Sequence, residues 1–327
     1  MDSQPIPYAV KHKDINVRIE SRSGGIFTAL SDVILEKTGI VYGCALDNGF
    51  KAIHRRAESK AERDAFRGSK YVQSDLGNTF KEVKKDLEQG RYVLFSGTSC
   101  QIAGIKKYLE LIHIDCSKLL LIDIVCHGVP SPKVWENYLR WFEHKYNGKV
   151  TTVDFRNKKD YGWAEHIETI SIDGKNHDSK IFTTLFYKHS ILRNCCYKCP
   201  YKSRYHPGDI TIADFWGIEK ALPDFSDNKG VSLVLVNNSK GKEYMEKGSF
   251  FIDKQLVDIN DCLQIPLIKP FEKPKDREKF WADYEKKPFG YIARKYGEIS
   301  VKAKIRKKIS TTVPVGIKKK IKKYCSR

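Results

Sequence analysis

Apolar positions along the first part of the chain follow two alternating spacings. Between residues 26 and 34 they recur every three or four positions, which predicts an amphipathic helix. Residues 39–45 form a short, nearly continuous apolar run, which predicts a buried strand. The same alternation returns further along, with helices predicted over 79–89 and 101–111 and strands over 92–95 and 119–125.

Strand, small-residue turn, helix and strand in succession is typical of an α/β fold with a mainly parallel sheet and flanking helices. From residue 149 the sequence pattern changes to segments of alternating apolar and polar residues joined by polar turns, which predicts a smaller mixed or antiparallel β lobe. The predicted strands of this lobe are 150–155, 167–172 and 209–215. We therefore expect an α/β lobe over 1–148, a mixed α/β lobe over 149–295 and a basic helical tail over 296–327.

Composition excludes several classes of protein. The chain has 327 residues, 41% of them hydrophobic, which suits a folded globular protein. It lacks an apolar run near the ~20 residues that span a bilayer, and its first residues lack the pattern of a signal peptide. We therefore expect a cytoplasmic protein whose nine cysteines do not form a disulfide framework, so that thiols are free for metals or chemistry. Cys44, Cys116 and Cys262 are expected to be small buried hydrophobic residues.

The formal charge of +19 is concentrated in the tail. Residues 300–327 contain eleven lysines and arginines and no acid, so eight positive charges remain for the rest of the chain. Apolar residues recur between these lysines at three- and four-residue spacing. This pattern predicts a basic amphipathic helix on an anionic membrane surface at the inner face of the membrane, with a solvated, disordered tail as the alternative.

Four cysteines lie in small, polar, turn-forming surroundings. Cys100 and Cys126 each follow a predicted strand, and Cys196 and Cys199 form a CxxC pair before a proline. The pair is either half of a zinc or iron–sulfur site or a chance spacing. As a metal site it would need further ligands, because two thiolates do not complete a tetrahedral shell. Cys100 and Cys126 are candidates for the remaining ligands; the alternative is that Cys100 is a neighbour of the helix cap and Cys126 a buried residue at the end of a strand. His127 is a further candidate ligand or a hydrogen-bonding loop residue.

Three glycine- or serine-rich segments could hold an anion. Residues 21–25 and 96–99 each precede a predicted helix, whose free N–H groups and dipole favour negative charge, and 68–74 adds a basic and an aromatic residue. None is a Walker loop or a GxGxxG fingerprint, and each could equally be an ordinary turn. Asp214 lies in an acid–aromatic turn after a strand, where it could orient a ligand or cap the turn.

Taken in order, these motifs resemble a known family. The segments are 23–30, 68–74, 97–104, 126–132, 154–156, 162–163, 196–199 and 209–217, and together they resemble the beta-subunit family of coenzyme F420 hydrogenase/dehydrogenase over about residues 8 to 220. The resemblance implies an oxidoreductase that binds FAD and a [4Fe–4S] cluster. It also implies electron transfer between coenzyme F420, or another low-potential carrier, and a partner redox chain.

Carried over residue by residue, the resemblance assigns the site. The cluster ligands would be Cys100, Cys126, Cys196 and Cys199, with Cys195 as a spare thiol or as the replacement for Cys196. His127 would lie near both cofactors. The residues lining the flavin would be Ser23, Gly24, Gly25, Lys70, Tyr71, Ser96 and Thr98.

Two features set this chain apart from many relatives. No cysteine precedes Cys44, so the onward electron route would use a separate ferredoxin-like or other redox partner protein. Related proteins also occur in bacterial surface-polysaccharide gene sets, which extends the expectation to a redox step in polysaccharide biosynthesis. The rival hypotheses are a noncatalytic scaffold of the same fold and a zinc-containing nucleic-acid-binding protein. The modest charge of the core argues against the nucleic-acid-binding protein.

Overall fold

The computed structural model describes residues 4–297 of the chain. Its strands, numbered in chain order, are β1 (Ile6–His12), β2 (Ile40–Leu46), β3 (Ala52–Ala57), β4 (Val93–Thr98), β5 (Leu119–Ile124), β6 (Val150–Asp154), β7 (Glu168–Ile172), β8 (Lys175–Ser179), β9 (Ile210–Asp214), β10 (Ser232–Val236) and β11 (Ile252–Leu256).

Eight of these strands form one sheet in the order β11-β1-β10-β9-β5-β4-β2-β3. The pairs β2–β4, β4–β5 and β5–β9 are parallel, and the outer pairs on both sides are antiparallel. The carboxyl ends of β2, β4, β5 and β9 therefore lie along one edge of the sheet.

Helices cover both faces of this sheet. The helices of the described residues are α1 (Ile15–Glu20), α2 (Ile26–Leu35), α3 (Lys60–Asp64), α4 (Thr79–Glu88), α5 (Ser99–Leu111), α6 (Pro132–Tyr146), α7 (Lys158–Tyr161), α8 (Ile181–Tyr187), α9 (Ile218–Ala221), α10 (Ser239–Lys247), α11 (Arg277–Lys286) and α12 (Phe289–Tyr296). Alternate residues of β4 face opposite ways: Leu94 packs with α2 and α10, whereas Val93 and Phe95 pack with α4 and α5. This two-sided burial explains why the central strands are continuously apolar in sequence.

A second, three-stranded antiparallel sheet, β6-β7-β8, packs with α6, α8, α11 and α12 around an aromatic core. Trp135, Tyr138 and Phe182 are among the buried rings. The buried carboxylate of Glu168 accepts hydrogen bonds from the Tyr138 hydroxyl at 2.7 Å and from the backbone N–H groups of Phe182 and Thr183 at 2.9 and 2.8 Å. Glu168 thus ties β7 to the start of α8.

The structure confirms the expected α/β class with a parallel centre and a smaller antiparallel sheet. One strand predicted for the second lobe belongs to the large sheet. Strand β9, expected in the second lobe, lies parallel to β5 in the large sheet, and β10 and β11 continue that sheet beside β1. A boundary after residue 148 therefore does not separate the two sheets, because the chain returns to the first sheet after forming the second.

The predicted basic tail from residue 298 onward lies outside the described residues. Within residues 4–297, no helix is both long enough and apolar enough to cross a membrane.

Candidate functional site

A cavity of about 310 Å³ opens at the carboxyl ends of the parallel strands. Ser96 and Thr98 from the end of β4, Val125 after β5 and Asp214 at the end of β9 line its walls. Ligands of open α/β sheets bind in the crevice beyond this edge. The sheet topology therefore places the cavity where a ligand is expected.

The turn before α2 lies directly against the sheet. The Ser23 hydroxyl donates to the Val231 carbonyl at 2.7 Å, and the Gly24 N–H donates to the Ser232 hydroxyl at 2.9 Å. A Cβ on Gly24 would lie 2.2 Å from the Val10 carbonyl oxygen, so this close approach requires glycine. The turn forms one rim of the cavity through Ser23 and its neighbours.

Lys158 on α7 holds the same turn from behind. Its buried ammonium donates to the carbonyls of Ser21 and Ser23 at 3.0 and 3.1 Å and also to that of Arg18. Burial, followed by the charges of Arg22 and Arg18, lowers the pKa of Lys158 to about 7. A side chain distant in sequence thus fixes the backbone path of the turn.

The cavity wall is rich in positive charge. Arg22, Arg67 and Lys70 all line it. Burial lowers the pKa of Lys70 to about 8, although its ammonium donates to the Ala65 and Arg67 carbonyls at 2.9 Å each. The Nε and Nη2 atoms of Arg22 are buried without a hydrogen-bond partner in the described structure. These groups suit an anionic ligand.

Asp214 is the one acidic side chain among the described residues lining the cavity. Its carboxylate accepts from Arg156 at 2.6 Å and from the Trp163 indole N–H at 2.8 Å. Burial alone would raise the pKa of Asp214, but the Arg156 charge outweighs burial and keeps that pKa below its ordinary value. Because its charge is already paired, Asp214 does not cancel the positive character of the wall.

Two of the four expected thiols lie at the cavity itself. Cys100, in the first turn of α5, and Cys126, in the loop after β5, both line it. The Gly128 N–H donates to the Cys126 sulfur at 3.3 Å, and the Val129 N–H donates to the Cys196 sulfur at 3.5 Å. One turn, residues 126–129, therefore orients the thiols of Cys126 and Cys196.

Gly128 makes that approach possible. Its φ is +130°, and an added Cβ would lie 3.2 Å from the Cys196 Cβ and 2.8 Å from a Leu192 methyl. Cys195, by contrast, is exposed to solvent. Of the two adjacent cysteines, the backbone contacts therefore direct Cys196 toward the turn, and Cys199 follows the same 3₁₀ segment, Asn194–Lys198.

The thiols are near one another without forming a site for a single ion. Burial and, to a smaller extent, the neighbouring thiols of Cys196 and Cys100 raise the pKa of Cys126 to about 12, although the Lys202 charge acts in the opposite direction. Within residues 4–297, no three His, Cys, Asp or Glu side chains are grouped closely enough to hold one metal ion.

His127 lines the cavity next to Cys126, within an aromatic group. Its ring is 4.9 Å from Phe271, 5.4 Å from Tyr187 and 5.9 Å from Phe186, centroid to centroid. Burial and the nearby Lys202 charge lower the pKa of His127 to about 3. The imidazole is therefore neutral at physiological pH.

A buried polar network joins the segments that carry the thiols. The His206 Nδ1 atom lies 2.8 Å from the Asp123 carboxylate and 3.1 Å from the Ser99 hydroxyl, and Thr211 donates to Asp123 at 2.6 Å. Ser99 precedes Cys100, Asp123 lies three residues before Cys126, and His206 follows Cys199. The network therefore links three backbone segments whose relative position sets the spacing of the thiols.

The structure brings most of the predicted flavin-binding residues to the cavity. Ser23, Gly25, Lys70, Tyr71, Ser96, Thr98 and His127 line it, as do Cys100 and Cys126. Gly24 does not line the cavity but supports the turn from the sheet side. Cys196 and Cys199 lie outside the cavity lining, on the far side of the 126–129 turn.

Sequence reasoning missed several cavity residues. The apolar surroundings of Cys44 predict a small buried hydrophobe, yet it lines the cavity, and His54, opposite Cys44 in the β2–β3 register, lines it as well. Tyr187 and Gln264 come from segments that carry no motif. The hairpin of β2 and β3 places His54 opposite Cys44, and the sequence pattern does not predict this hairpin. Only the strand pairing in the structure therefore identifies His54 as a cavity residue.

A cationic cavity at the parallel edge of an α/β sheet, with thiols in its wall, defines a ligand-binding α/β protein with a cysteine-rich centre. The family model for the C-terminal part of coenzyme F420 hydrogenase/dehydrogenase beta subunits matches residues 90–259, more than half of the chain. The chain therefore belongs to this family, which is one of oxidoreductase subunits. The resemblance of the motifs to that family is thereby confirmed.

Solved structures agree on the fold. A chain of the F420-reducing [NiFe] hydrogenase complex from Methanosarcina barkeri superimposes with a TM-score of 0.55 and is 18% identical in sequence. The similarity covers 78% of this chain and 83% of that one. No curated protein matches the sequence.

Proposed function

We propose that the protein is an oxidoreductase that uses FAD and one [4Fe–4S] cluster. It would pass electrons between coenzyme F420, or another low-potential carrier, and a separate redox protein. The observation that supports this most directly is the placement of Cys100 and Cys126 in the wall of the same cavity that Arg22 and Lys70 line. A thiolate-bound centre would thus adjoin an anion-binding cavity.

The cavity suits a flavin dinucleotide in charge and shape. The diphosphate of FAD needs positive charge and free donors, which Arg22, Arg67 and the turn before α2 supply. The isoalloxazine needs flat apolar walls, which Tyr71, Tyr187 and their aromatic neighbours supply. Trp216 adds a further aromatic surface at the cavity wall.

The four thiols suit a cluster in number and in setting. Cys100, Cys126, Cys196 and Cys199 come from three backbone segments, and two backbone N–H groups already point at two of the sulfurs. Hydrogen bonds to ligand sulfur tune the reduction potential of such centres. With Cys196 oriented by the turn, Cys195 is left as the spare thiol.

The protein's own part in catalysis would be positioning and electrostatics. When bound, a flavin accepts a hydride as two electrons and releases them singly to a one-electron centre. Arg22 and Lys70 would hold the anionic part of the ligand, and the turn before α2 would fix its orientation. His127, neutral and packed against Phe271, would exclude water from the cavity wall beside Cys126 without contributing charge.

The exposed side of the cysteine segment suits contact with a redox partner. Cys195 is exposed and adjacent in sequence to Cys196, so a partner carrier docking there would approach the cluster closely. Involvement in surface-polysaccharide biosynthesis, a cytoplasmic location and contact of the basic tail with anionic lipid stay predictions from the sequence.

A visible spectrum of anaerobically purified protein tests the proposal. We expect flavin bands together with a broad iron–sulfur shoulder, and extraction should release FAD. A colourless, zinc-containing protein would contradict the proposal and favour the nucleic-acid-binding alternative. A colourless, metal-free protein would instead favour a noncatalytic scaffold.

A further inference from the structure

Lys202 is a buried cation in the loop between Cys199 and β9. The residue is 6% exposed, its ammonium donates to the His127 carbonyl at 2.5 Å, and it lies 4.8 Å from the centroid of the Phe271 ring. Among the residues the structure describes, no carboxylate forms an ion pair with it. A buried charge is costly unless an opposite charge accompanies it.

The groups around Lys202 that can carry negative charge are thiols. Its electrostatic neighbours are Cys126, Cys199 and Cys196, each of which raises the pKa of Lys202 while burial lowers it. The hydrogen bonds explain this proximity, because the His127 carbonyl belongs to the same turn whose N–H groups reach the sulfurs of Cys126 and Cys196. Lys202 is therefore attached to the backbone that orients the proposed ligands.

We propose that Lys202 is the fixed counter-charge of the cysteine centre and raises its reduction potential. The inference rests on the proposed function, since it assigns a role at the proposed cluster. A cluster with four thiolate ligands carries net negative charge, and each electron taken from the reduced donor adds one more negative charge. A nearby buried cation stabilises the more negative, reduced form and makes the centre easier to reduce.

The location of Lys202 suits this role. Its ammonium contacts the carbonyl of His127, which follows Cys126 and lines the cavity, so the positive charge lies beside the turn that joins the thiols to the cavity from which electrons would arrive. The cation–aromatic contact with Phe271 and the carbonyl acceptor hold the ammonium in place without neutralising it. Lys202 is a positioning residue in this scheme, because it would act through the centre and not on the substrate.

The test compares Lys202→Gln, which removes the charge but keeps a donor, with Lys202→Arg, which keeps the charge. Lys198→Gln, at an exposed lysine between Cys196 and Cys199, is the matched control. For each full-length protein we would measure iron content, the flavin spectrum and the cluster midpoint potential by anaerobic redox titration with electron paramagnetic resonance. We expect Lys202→Gln to lower the equilibrium constant for cluster reduction about tenfold, or about 59 mV for one electron.

Lys202→Arg and Lys198→Gln should keep the wild-type potential. An unchanged potential in Lys202→Gln would overturn the inference, as would equal shifts in Lys202→Gln and Lys202→Arg, since the shape of lysine and not its charge would then matter. If Lys202→Gln purifies without iron, retention of iron by Lys202→Arg supports the counter-charge, and loss from both overturns it.

The wild-type spectrum distinguishes this inference from the proposed function. A wild-type protein with no flavin or iron absorption refutes both. A wild-type protein with both absorptions and a potential insensitive to Lys202→Gln refutes only the role of Lys202.

Discussion

The cavity side and the cysteine side of the site are built in different ways. The turn before α2 is held by hydrogen bonds from Ser23, Gly24 and Lys158, all of which are made to groups of the protein itself. On the cysteine side, the sulfurs of Cys126 and Cys196 accept only long backbone hydrogen bonds, and Cys100 is exposed. The first side is a preformed pocket, whereas the second is a set of ligands whose segments are held in place.

This difference suggests that the two halves can be damaged separately. A pocket wall fixed by the turn before α2 should survive loss of a thiol, because none of the hydrogen bonds from Ser23, Gly24 and Lys158 involves one. The thiol set depends instead on the relative position of three segments. Substitutions on one side should therefore change one cofactor content and leave the other largely intact.

The largest expected effect is that of Cys199→Ser, which removes a proposed cluster ligand. We expect complete loss of the iron–sulfur absorption with the flavin bands retained, because a serine oxygen is a poor substitute for a thiolate on iron. Iron content and the visible spectrum measure this. Cys195→Ser is the control and should keep the cluster; if iron is lost in Cys195→Ser but not in Cys196→Ser, the assignment of Cys196 is wrong.

A smaller effect is expected from Asp123→Asn, which weakens the network between the cysteine segments. Asp123 is fully buried and accepts from both His206 and Thr211, and a buried hydrogen-bond partner left unsatisfied costs about 1–3 kcal/mol. We expect lower iron content and a cluster that is lost sooner on exposure to air, with FAD content unchanged. The exposed Asp253→Asn serves as control, and equal loss of FAD and iron in Asp123→Asn would show that the two halves are coupled.

The sequence predicted those segments whose local structure depends mainly on neighbouring residues. The strand 92–95 and the glycine–serine turns could be recognised because strand and turn formation depends on neighbouring residues. Strands β2 and β5 and helix α5 lie close to their predicted bounds, whereas β4 extends through the predicted turn as far as Thr98. Strand β1 escaped prediction because its partners, β10 and β11, lie more than 200 residues away. The edge strand β3 likewise carries too short a pattern to be recognised alone.

The same limit applies to the site. Ser23 and Thr98 belong to recognisable turns, so they could be named in advance. Lys158 and Lys202 could not, because each acts on a turn that is distant in sequence: Lys158 on residues 21–23 and Lys202 on His127. Nothing in the sequence around either lysine distinguishes it from the many lysines at the surface.

On the cavity side, Lys158→Met tests whether the turn before α2 governs flavin binding. The substitution keeps the length of the side chain but removes the donors to the Ser21 and Ser23 carbonyls. We expect the Kd for FAD to rise about tenfold, ~1.4 kcal/mol, with iron content unchanged. The exposed neighbour Lys159→Met is the matched control, and unaltered FAD affinity in Lys158→Met would refute the role of the turn.

The smallest expected effect is a pH dependence of FAD affinity that arises from Lys70. Burial lowers the pKa of Lys70 from 10.5 to about 8, so this ammonium loses its proton within an accessible range. The charged form attracts the FAD diphosphate, and the affinity should therefore fall as pH rises through about 8, by a few-fold between pH 7 and 9. Titration of the apoprotein with FAD at several pH values measures this. In Lys70→Arg the side chain stays protonated throughout, so the pH dependence of FAD affinity should disappear. If the same slope remains, another group in the cavity is responsible, because only a group whose charge changes with pH can change the affinity for an anion.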